Sequence, residues 1–573
     1  MPTVPFRWET YPIAPQSHFD QFPNNQRLII QILYNRGIFE TDSVAHFLDK
    51  RAANGIDTTS EMAGTPEAVD RIATAIQKQE SIVVYGDYDA DGVTSTALMV
   101  QALRAFGANV RGYIPNRFEE GYGLNQQAIA DLAAEGVALI ITVDCGIRSA
   151  AEVTYGNELG VNFIITDHHQ IPRDELGQDI IPPAVAVLNP KRIQCQYPFK
   201  DLAGVGVAFK LIQALQRELQ PSQFSEEDII DLVAIGTVAD MAPLVGENRF
   251  LVQSGLSRIN KPKRIGLKTL IEHARLRPGE ITAGSIGFTL GPRLNAAGRL
   301  TTAQLAYELL TTSDATQAKA ISDQLNQINL DRQQMTQTFV DQAREKILQG
   351  DADAPIHLVI DETFNEGVVG LVASRLADEF YRPVLVAHHG EKTTKGSARS
   401  IPEFDITRAL DQVADLLVKY GGHAAAAGFT INNENLPEFR LRLHEIAQDN
   451  LGQKTLQKTL PIDAEINLRG VNFNLVQEIQ ALQPFGYSNP TPKFMTKGLI
   501  VKHHTVVGKE GNHLKMKLFD GKQNWDAIGF QMGHTWSPET RLTKIDAAYS
   551  LEINTWQGRS NLQLNLKDIR PET

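Results

Sequence analysis

The chain reads as a multidomain α/β protein: a parallel-sheet lobe, a long connecting helix, a second α/β lobe and a C-terminal β-barrel. Three observations predict this. Short apolar runs alternate with helix-compatible stretches between residues 81 and 188, the pattern of a parallel sheet covered on both faces. Residues 316–348 form a polar, Gln-rich stretch without proline or glycine, which fits a single helix. After Leu460 the pattern turns to alternation, as in KMKLFD and NLQLNL, and predicts a small barrel or sandwich.

Taken in order, LIIQILYNRGIF and AVDRIATAI carry helix-spaced apolar residues, so 1–75 is expected to be helical. SIVVYG (81–86), VRGYI (110–114), ALIITV (138–143), NFIIT (162–166) and AVAVL (184–188) are the expected strands of the first lobe, 76–314. Helices fall between them, from Thr94 to Phe106 and over NQQAIADLAAEG. The connecting helix takes 315–348. The second lobe, 349–455, offers HLVI (357–360), a helix from Val368 to Phe380, PVLVA (383–387) and a helix near Ile406–Tyr420. Residues 456–573 form the β-rich domain. At about 150 residues per domain, a chain of 573 residues requires several cores.

Composition narrows the class without deciding it. Apolar residues make up 42% and charged residues 21%, ordinary values for a globular chain. A mean hydropathy of -0.22, without an apolar run approaching membrane-spanning length, predicts no membrane segment. Two cysteines cannot build a disulfide framework, and the first residues lack a basic start followed by an apolar run; a cytoplasmic protein is expected. The net charge of -12 argues against coating nucleic acid through an overall field. It leaves open a local basic groove and carboxylates gathered around cations.

The first strand ends in Gly86-Asp87-Tyr88-Asp89-Ala90-Asp91-Gly92. Three alternate aspartates after a buried strand repel one another unless cations compensate them. A calcium loop is excluded, because its closing glutamate would fall on Leu98 and the run follows a strand. A solvated acidic loop competes as the reading of this run alone. Further strand ends tip the balance: Asp144 follows ALIITV, Asp167-His168-His169 follow NFIIT, and Asp240 closes the apolar run DLVAIGTVAD. In a parallel sheet such residues collect beyond the carboxyl ends of the strands. Oxygen ligands with one or two imidazoles suit Mn²⁺ or Mg²⁺, two ions of which would support hydrolysis of a phosphoester or phosphoanhydride.

GDYDADG, VDCG, TDHH and the aspartate of GTVADMAPL, in this order, resemble the four motifs of the DHH phosphoesterase superfamily. GGHAAAAGF (421–429) resembles the signature of its DHH-associated substrate-binding domain. YIPNRFEEGYGL, GPRLNAAGRL, NEGVVGLVASRL, GSARS and LQPFGYSNPTPKF are similar to the RecJ family of single-strand-specific 5′→3′ DNA exonucleases, from about residue 25 to the end. The resemblance implies Asp89, Asp91, Asp144, His168 and Asp240 as ligands of two Mn²⁺ or Mg²⁺ ions. It implies Asp87 and His169 as catalytic partners that orient ligands or assist proton transfer. Tyr85 stands where superfamily members with an H-x-x-x-D-x-D opening have a histidine ligand. It also implies a role in DNA repair and recombination, single-stranded DNA as substrate, an oligonucleotide-binding barrel, and a monomer working with a helicase and a single-strand-binding protein.

A terminal phosphate requires guanidinium forks and fixed donors. Through the resemblance, Arg117, Arg299, Ser397 and Arg399 are candidates for the 5′-phosphate, and Arg293 joins them as a substrate-binding residue. Gly422 and His423 allow close backbone approach beside a polar donor and suit a nucleotide contact. Gly204-Val205-Gly206 is not a dinucleotide loop, because Phe209 replaces the third glycine. Arg258, Lys261, Lys263, Arg264, Lys268, Arg275 and Arg277 are expected to track phosphates or to form a solvated face. Lys515, Lys517, Phe519, Trp525, Phe530 and Trp556 interleave bases with aromatics, and the rings divide between core and stacking surface. Two rival functions remain at this level: a DHH phosphodiesterase or pyrophosphatase acting on short substrates, and a non-catalytic DNA-binding scaffold.

Overall fold

The computed structural model describes residues 6–49, 61–220, 224–533, 535–536, 542–556 and 558–571. The chain forms two compact units. One comprises Glu40–Leu330 with Ala481–Thr491, and the other comprises Met1–Phe39, Asp331–Gln480 and Pro492–Thr573.

The first unit is built on a five-stranded, all-parallel sheet. Its spatial order is Val110–Tyr113, Ser81–Gly86, Val137–Val143, Asn162–Thr166 and Ala186–Leu188. The first strand therefore sits between the second and the third, and the chain reverses its winding direction there. Such a switch point opens a crevice beyond the carboxyl ends of the two central strands. Alternation along the strands serves two cores: Ile82, Val84, Leu139, Ile141 and Ile164 face one way, and Val83, Tyr85, Ile140, Phe163 and Ile165 the other. The apolar runs are nearly continuous because both faces are covered.

The helix expected from Thr94 begins earlier, at Ala90, because Asp89 caps it by accepting bonds from the backbone N–H groups of Asp91 (2.9 Å) and Gly92 (3.1 Å). Helices Gly204–Leu219 and Ile230–Ala239 pack on the same core, and their residues are buried almost throughout. Ala481–Thr491 joins this unit from far along the sequence. Leu244 N–H donates to the Tyr487 carbonyl (2.9 Å), and Asn489 Nδ2 donates to the carbonyls of Leu482 and Pro484. The buried Arg249 guanidinium donates to the carbonyls of Gln483, Ala481 and Phe47, and its Cζ lies 4.1 Å from the Phe47 ring centroid.

The connecting helix is a single element, Ala315–Gln349, of 35 residues and roughly 52 Å at 1.5 Å per residue. The division between the units falls within it.

In the second unit a five-stranded sheet runs in the order Leu417–His423, Ala426–Asn432, Thr393–Arg399, Val384–His389, His357–Asp361, with only the last two strands parallel. The helix expected to reach Tyr420 stops at Asp411, after a start capped by Asp405. Residues Leu417–His423 instead form a strand antiparallel to Ala426–Asn432, because Gly421-Gly422 disfavours helix and the neighbouring strand satisfies the backbone. The C-terminal strands Phe494–Val507, His513–Phe519, Asn524–Gly529, Arg559–Pro571 and Lys544–Trp556 close into a five-stranded barrel through the pairing of the first with the last. The predicted α/β architecture with a C-terminal barrel is borne out. Within the N-terminal segment read as helical, Arg7–Thr10 is a strand parallel to Thr459–Ile462. Among the described residues no helix is long and apolar enough to cross a membrane.

Candidate active site

The aspartates and histidines expected to hold metal converge at the switch point. Asp91 is buried, and both of its carboxylate oxygens accept backbone bonds at the start of the Gly204–Leu219 helix: Oδ2 from Gly204 N–H (2.7 Å), Oδ1 from Val205 N–H (2.9 Å). The Gly-Val-Gly sequence thus binds an anion, but that anion is a side chain of this chain. Asp144 stands directly after the third strand with a positive φ of 61°, and its N–H donates to the Thr166 carbonyl (3.0 Å). That strained turn aims the carboxylate into the crevice.

Small residues make this crowding possible. A Cβ on Gly204 would lie 2.6 Å from Asp144 Oδ1, and one on Gly236 would lie 2.7 Å from Asp91 Oδ1. Three sets of ligand atoms lie within 4.8 Å of one another: Asp87, Asp89 and Asp144; Asp91, His168 and Asp240; and Asp144, His168 and His169. Asp240 caps the C-terminus of helix Ile230–Ala239, where burial and the charges of Asp91 and Asp89 push its carboxyl well above the usual range. Burial and neighbouring carboxylates do the same to Asp87 and Asp144, and raise Asp91 to about 7.

The histidine pair divides its work. Burial, then the neighbouring His169, depress His168 to about 3, so its imidazole is neutral and able to ligate. Its Nε2 lies 3.1 Å from Asp144 Oδ1, and neither atom has a hydrogen-bond partner among the described residues. Buried, neighbouring acceptors without hydrogen bonds fit a divalent cation. His169 differs: burial opposes its charge, but Asp167 (Nδ1 to Oδ1, 2.7 Å) overrides burial and lifts it to about 9.

Asp167 belongs to the TDHH motif, yet the sequence alone assigns it no role. Its carboxylate also accepts from the N–H groups of His168, His169 and Ile147, which makes it the frame of the motif. Lys191 and Asn189 are further residues that sequence reasoning misses. Lys191 Nζ donates to the His168 carbonyl (2.6 Å), and Asn189 Nδ2 donates to the His169 carbonyl (2.9 Å). Tyr122 is another addition, with its hydroxyl 3.3 Å from His169 Nδ1. Its place in GYGL, near Arg117, was the available signal. Tyr85 is fully buried, donates to the Gly123 carbonyl (3.2 Å) and stacks on Tyr113, so its phenol supports the loop.

Arg117 Cζ lies 5.1 Å from the centroid of the Tyr88 ring, and Arg299 acts on the same phenol. Arg293 donates to the Thr289 carbonyl (2.8 Å) and to Asn326 Oδ1 (3.2 Å), which ties helix Gly291–Leu300 to the connecting helix.

The sequence matches three family models: "DHH family, N-terminal domain" over 81–237, "DHHA1 domain" over 353–449 and "RecJ OB domain" over 462–568. The single-stranded-DNA-specific exonuclease RecJ of Bacillus subtilis is 40% identical over 543 residues, covering 94% of this chain and 67% of that protein. Its counterpart from Salmonella typhimurium is 35% identical over 542 residues, covering 91% and 93%. This chain belongs to the RecJ family. The crystal structure of RecJ in complex with Mn²⁺ from Thermus thermophilus matches it with a TM-score of 0.84 at 30% identity, over 99% of this chain and 80% of that one.

The RecJ-like second unit has its own polar cradle. Arg399 Nη1 donates to Ser397 Oγ (2.9 Å), and a Cβ on Gly370, in the first turn of helix Val369–Phe380, would lie 3.0 Å from that oxygen and 3.1 Å from Arg399 Nη2. Gly422 has no room for a Cβ, which would lie 2.2 Å from the Ala426 carbonyl oxygen, and His423 is exposed at the hairpin end. In the RecJ barrel Trp525 is buried and donates to Asp520, whereas Phe530, Lys515 and Lys517 are exposed; the Trp556 side chain lies outside the described residues. Of the basic segment, Arg264 is held by Asp231 and Arg258 by Glu227 and Asp228, while Lys261, Lys263, Lys268, Arg275 and Arg277 are exposed.

Proposed function

We propose that this chain is a metal-dependent exonuclease that removes mononucleotides from the 5′ end of single-stranded DNA. One observation carries the reading: Asp87, Asp89, Asp91, Asp144, His168 and Asp240 converge at the switch point of a RecJ-family sheet. Asp89, Asp91, Asp144, His168 and Asp240 would hold two Mn²⁺ or Mg²⁺ ions. When bound, these ions supply Lewis-acid polarisation of the phosphoryl oxygens and acidify attacking water.

The remaining chemistry belongs to side chains. The backbone bonds from Gly204 and Val205 fix Asp91 before any ligand arrives, so little reorganisation accompanies binding. Lys191 and Asn189 clamp the main chain of the two histidines. His169, kept cationic by Asp167, can give a proton to the departing 3′-oxygen. Ser397 and Arg399 keep their assignment as 5′-phosphate candidates, as do Arg117 and Arg299 in their own unit, and Gly422 and His423 would contact a nucleotide. Arg293 keeps a substrate-binding assignment through the same helix as Arg299. We read 76–314 as the catalytic domain, 349–455 as the substrate-binding domain and 456–573 as the strand-guiding barrel. We further place the chain in the cytoplasm as a monomer in DNA repair and recombination, supplied with single strands by a helicase and a single-strand-binding protein.

The test is a gel assay of end-labelled single- and double-stranded DNA with and without Mn²⁺. Metal-dependent release of mononucleotides from the 5′ end of single strands is expected. Intact single strands in Mn²⁺ would overturn the reading in favour of a scaffold.

A further inference from the structure

Phe288 is 88% exposed, more than any other large apolar side chain among the described residues. It sits on a single π turn, Ile286–Leu290, whose first and last residues are fully buried. The turn lies against the helix that ends in Asp240: a Cβ on Gly287 would be 3.7 Å from Val238 Cγ1, and one on Gly291 would be 3.3 Å from Ala239 Cβ. Directly after Asp240, Met241 takes a positive φ of 59° and is 67% exposed. A π turn inserts one residue into a helix and re-aims its side chains, and such turns recur at functional sites. Packing does not explain Phe288, because the ring buries almost nothing. Arg275 and the exposed Arg277 lie on the segment leading into the turn and bring phosphate-attracting charge to an acidic chain.

We propose that Phe288 is a base-stacking residue that receives an unpaired nucleobase of the substrate strand beside the metal-binding cluster. This rests on the exonuclease reading and deepens it. An aromatic face binds any base without regard to sequence. It can enter between successive bases only where the stack opens, which single strands do readily and duplexes resist.

The experiment compares wild type, Phe288→Ala and Phe288→Trp. With 5′-phosphorylated single strands and Mn²⁺, the alanine variant should raise KM about tenfold with kcat within about twofold, and tryptophan should restore KM. Replacing bases of the strand one at a time by abasic residues should find a position where the alanine variant suffers no further loss. Mn²⁺ affinity and Tm should match wild type, which a merely structural role would not allow. Anisotropy of a labelled single strand in EDTA reads stacking even where cleavage fails, and so separates this proposal from the exonuclease reading. Equal Kd for wild type and Phe288→Ala, or loss of Mn²⁺ affinity in the variant, would overturn it.

Discussion

His168 Nε2 lies 3.1 Å from Asp144 Oδ1 inside the protein, and neither atom has a hydrogen-bond partner among the described residues. The fold therefore holds an imidazole and a carboxylate against each other without spending their lone pairs. Asp144→Asn replaces an ionisable carboxyl of the cluster by a neutral amide. Cleavage should fall more than about a hundredfold, while Tm in EDTA stays equal or rises. The Tm increase given by Mn²⁺ to wild type should shrink. Activity within a factor of about two of wild type would remove Asp144 from the ligand set.

Stability without metal should depend on pH in a definite direction. Asp91 titrates at about 7 in the folded chain, and Asp87, Asp144 and Asp240 are also raised, so the native state holds protons that the unfolded chain has released. His169, raised to about 9, adds to the same trend. Stability from these groups is full at acid pH and is lost as pH rises through their folded values. His168, depressed to about 3, acts in reverse, but its contribution levels off above its unfolded value, near 6.5. Tm in EDTA should fall between about pH 6.5 and 8.5, and saturating Mn²⁺ should flatten the slope. A rising Tm in EDTA would contradict the assignment.

Gly204→Ala tests the crowding. Its methyl would enter the space of Asp144, and relief requires moving either that carboxylate or the helix that fixes Asp91. A stability loss of about 1–3 kcal/mol is expected in urea unfolding, with Mn²⁺ affinity reduced at least about tenfold. Unchanged affinity would show that the site tolerates the displacement.

Arg399→Ala should penalise 5′-phosphorylated strands more than 5′-hydroxyl strands, by about tenfold in kcat/KM. Arg399→Lys keeps the charge but loses the fork and should recover part of the loss. Equal losses on both ends would separate Arg399 from phosphate recognition.

The sheet and the candidate cluster are legible in the sequence because acidic residues interrupt apolar runs there: Asp87, Asp144 and Asp167 follow strands, and Asp240 ends a helix. NFIIT is delimited to the residue. Leu417–His423 reads wrongly because its apolar residues also suit a helix, and only pairing with Ala426–Asn432 decides the matter. Lys191 and Asn189 are invisible for a different reason. Their role is exercised through backbone carbonyls of His168 and His169, and such contacts leave no trace in residue type. The double use of Gly204, as helix start and as room for Asp144, likewise emerges only in three dimensions.

The Ala481–Thr491 segment, gripped by Arg249, belongs to the unit that carries the candidate site although it arrives after the whole second α/β lobe. A fragment ending with the connecting helix would leave a buried guanidinium facing solvent where carbonyls had been. Gene surgery on this enzyme should therefore respect spatial membership over sequence order: a minimal catalytic piece has to carry that eleven-residue clasp with it, grafted back by a linker.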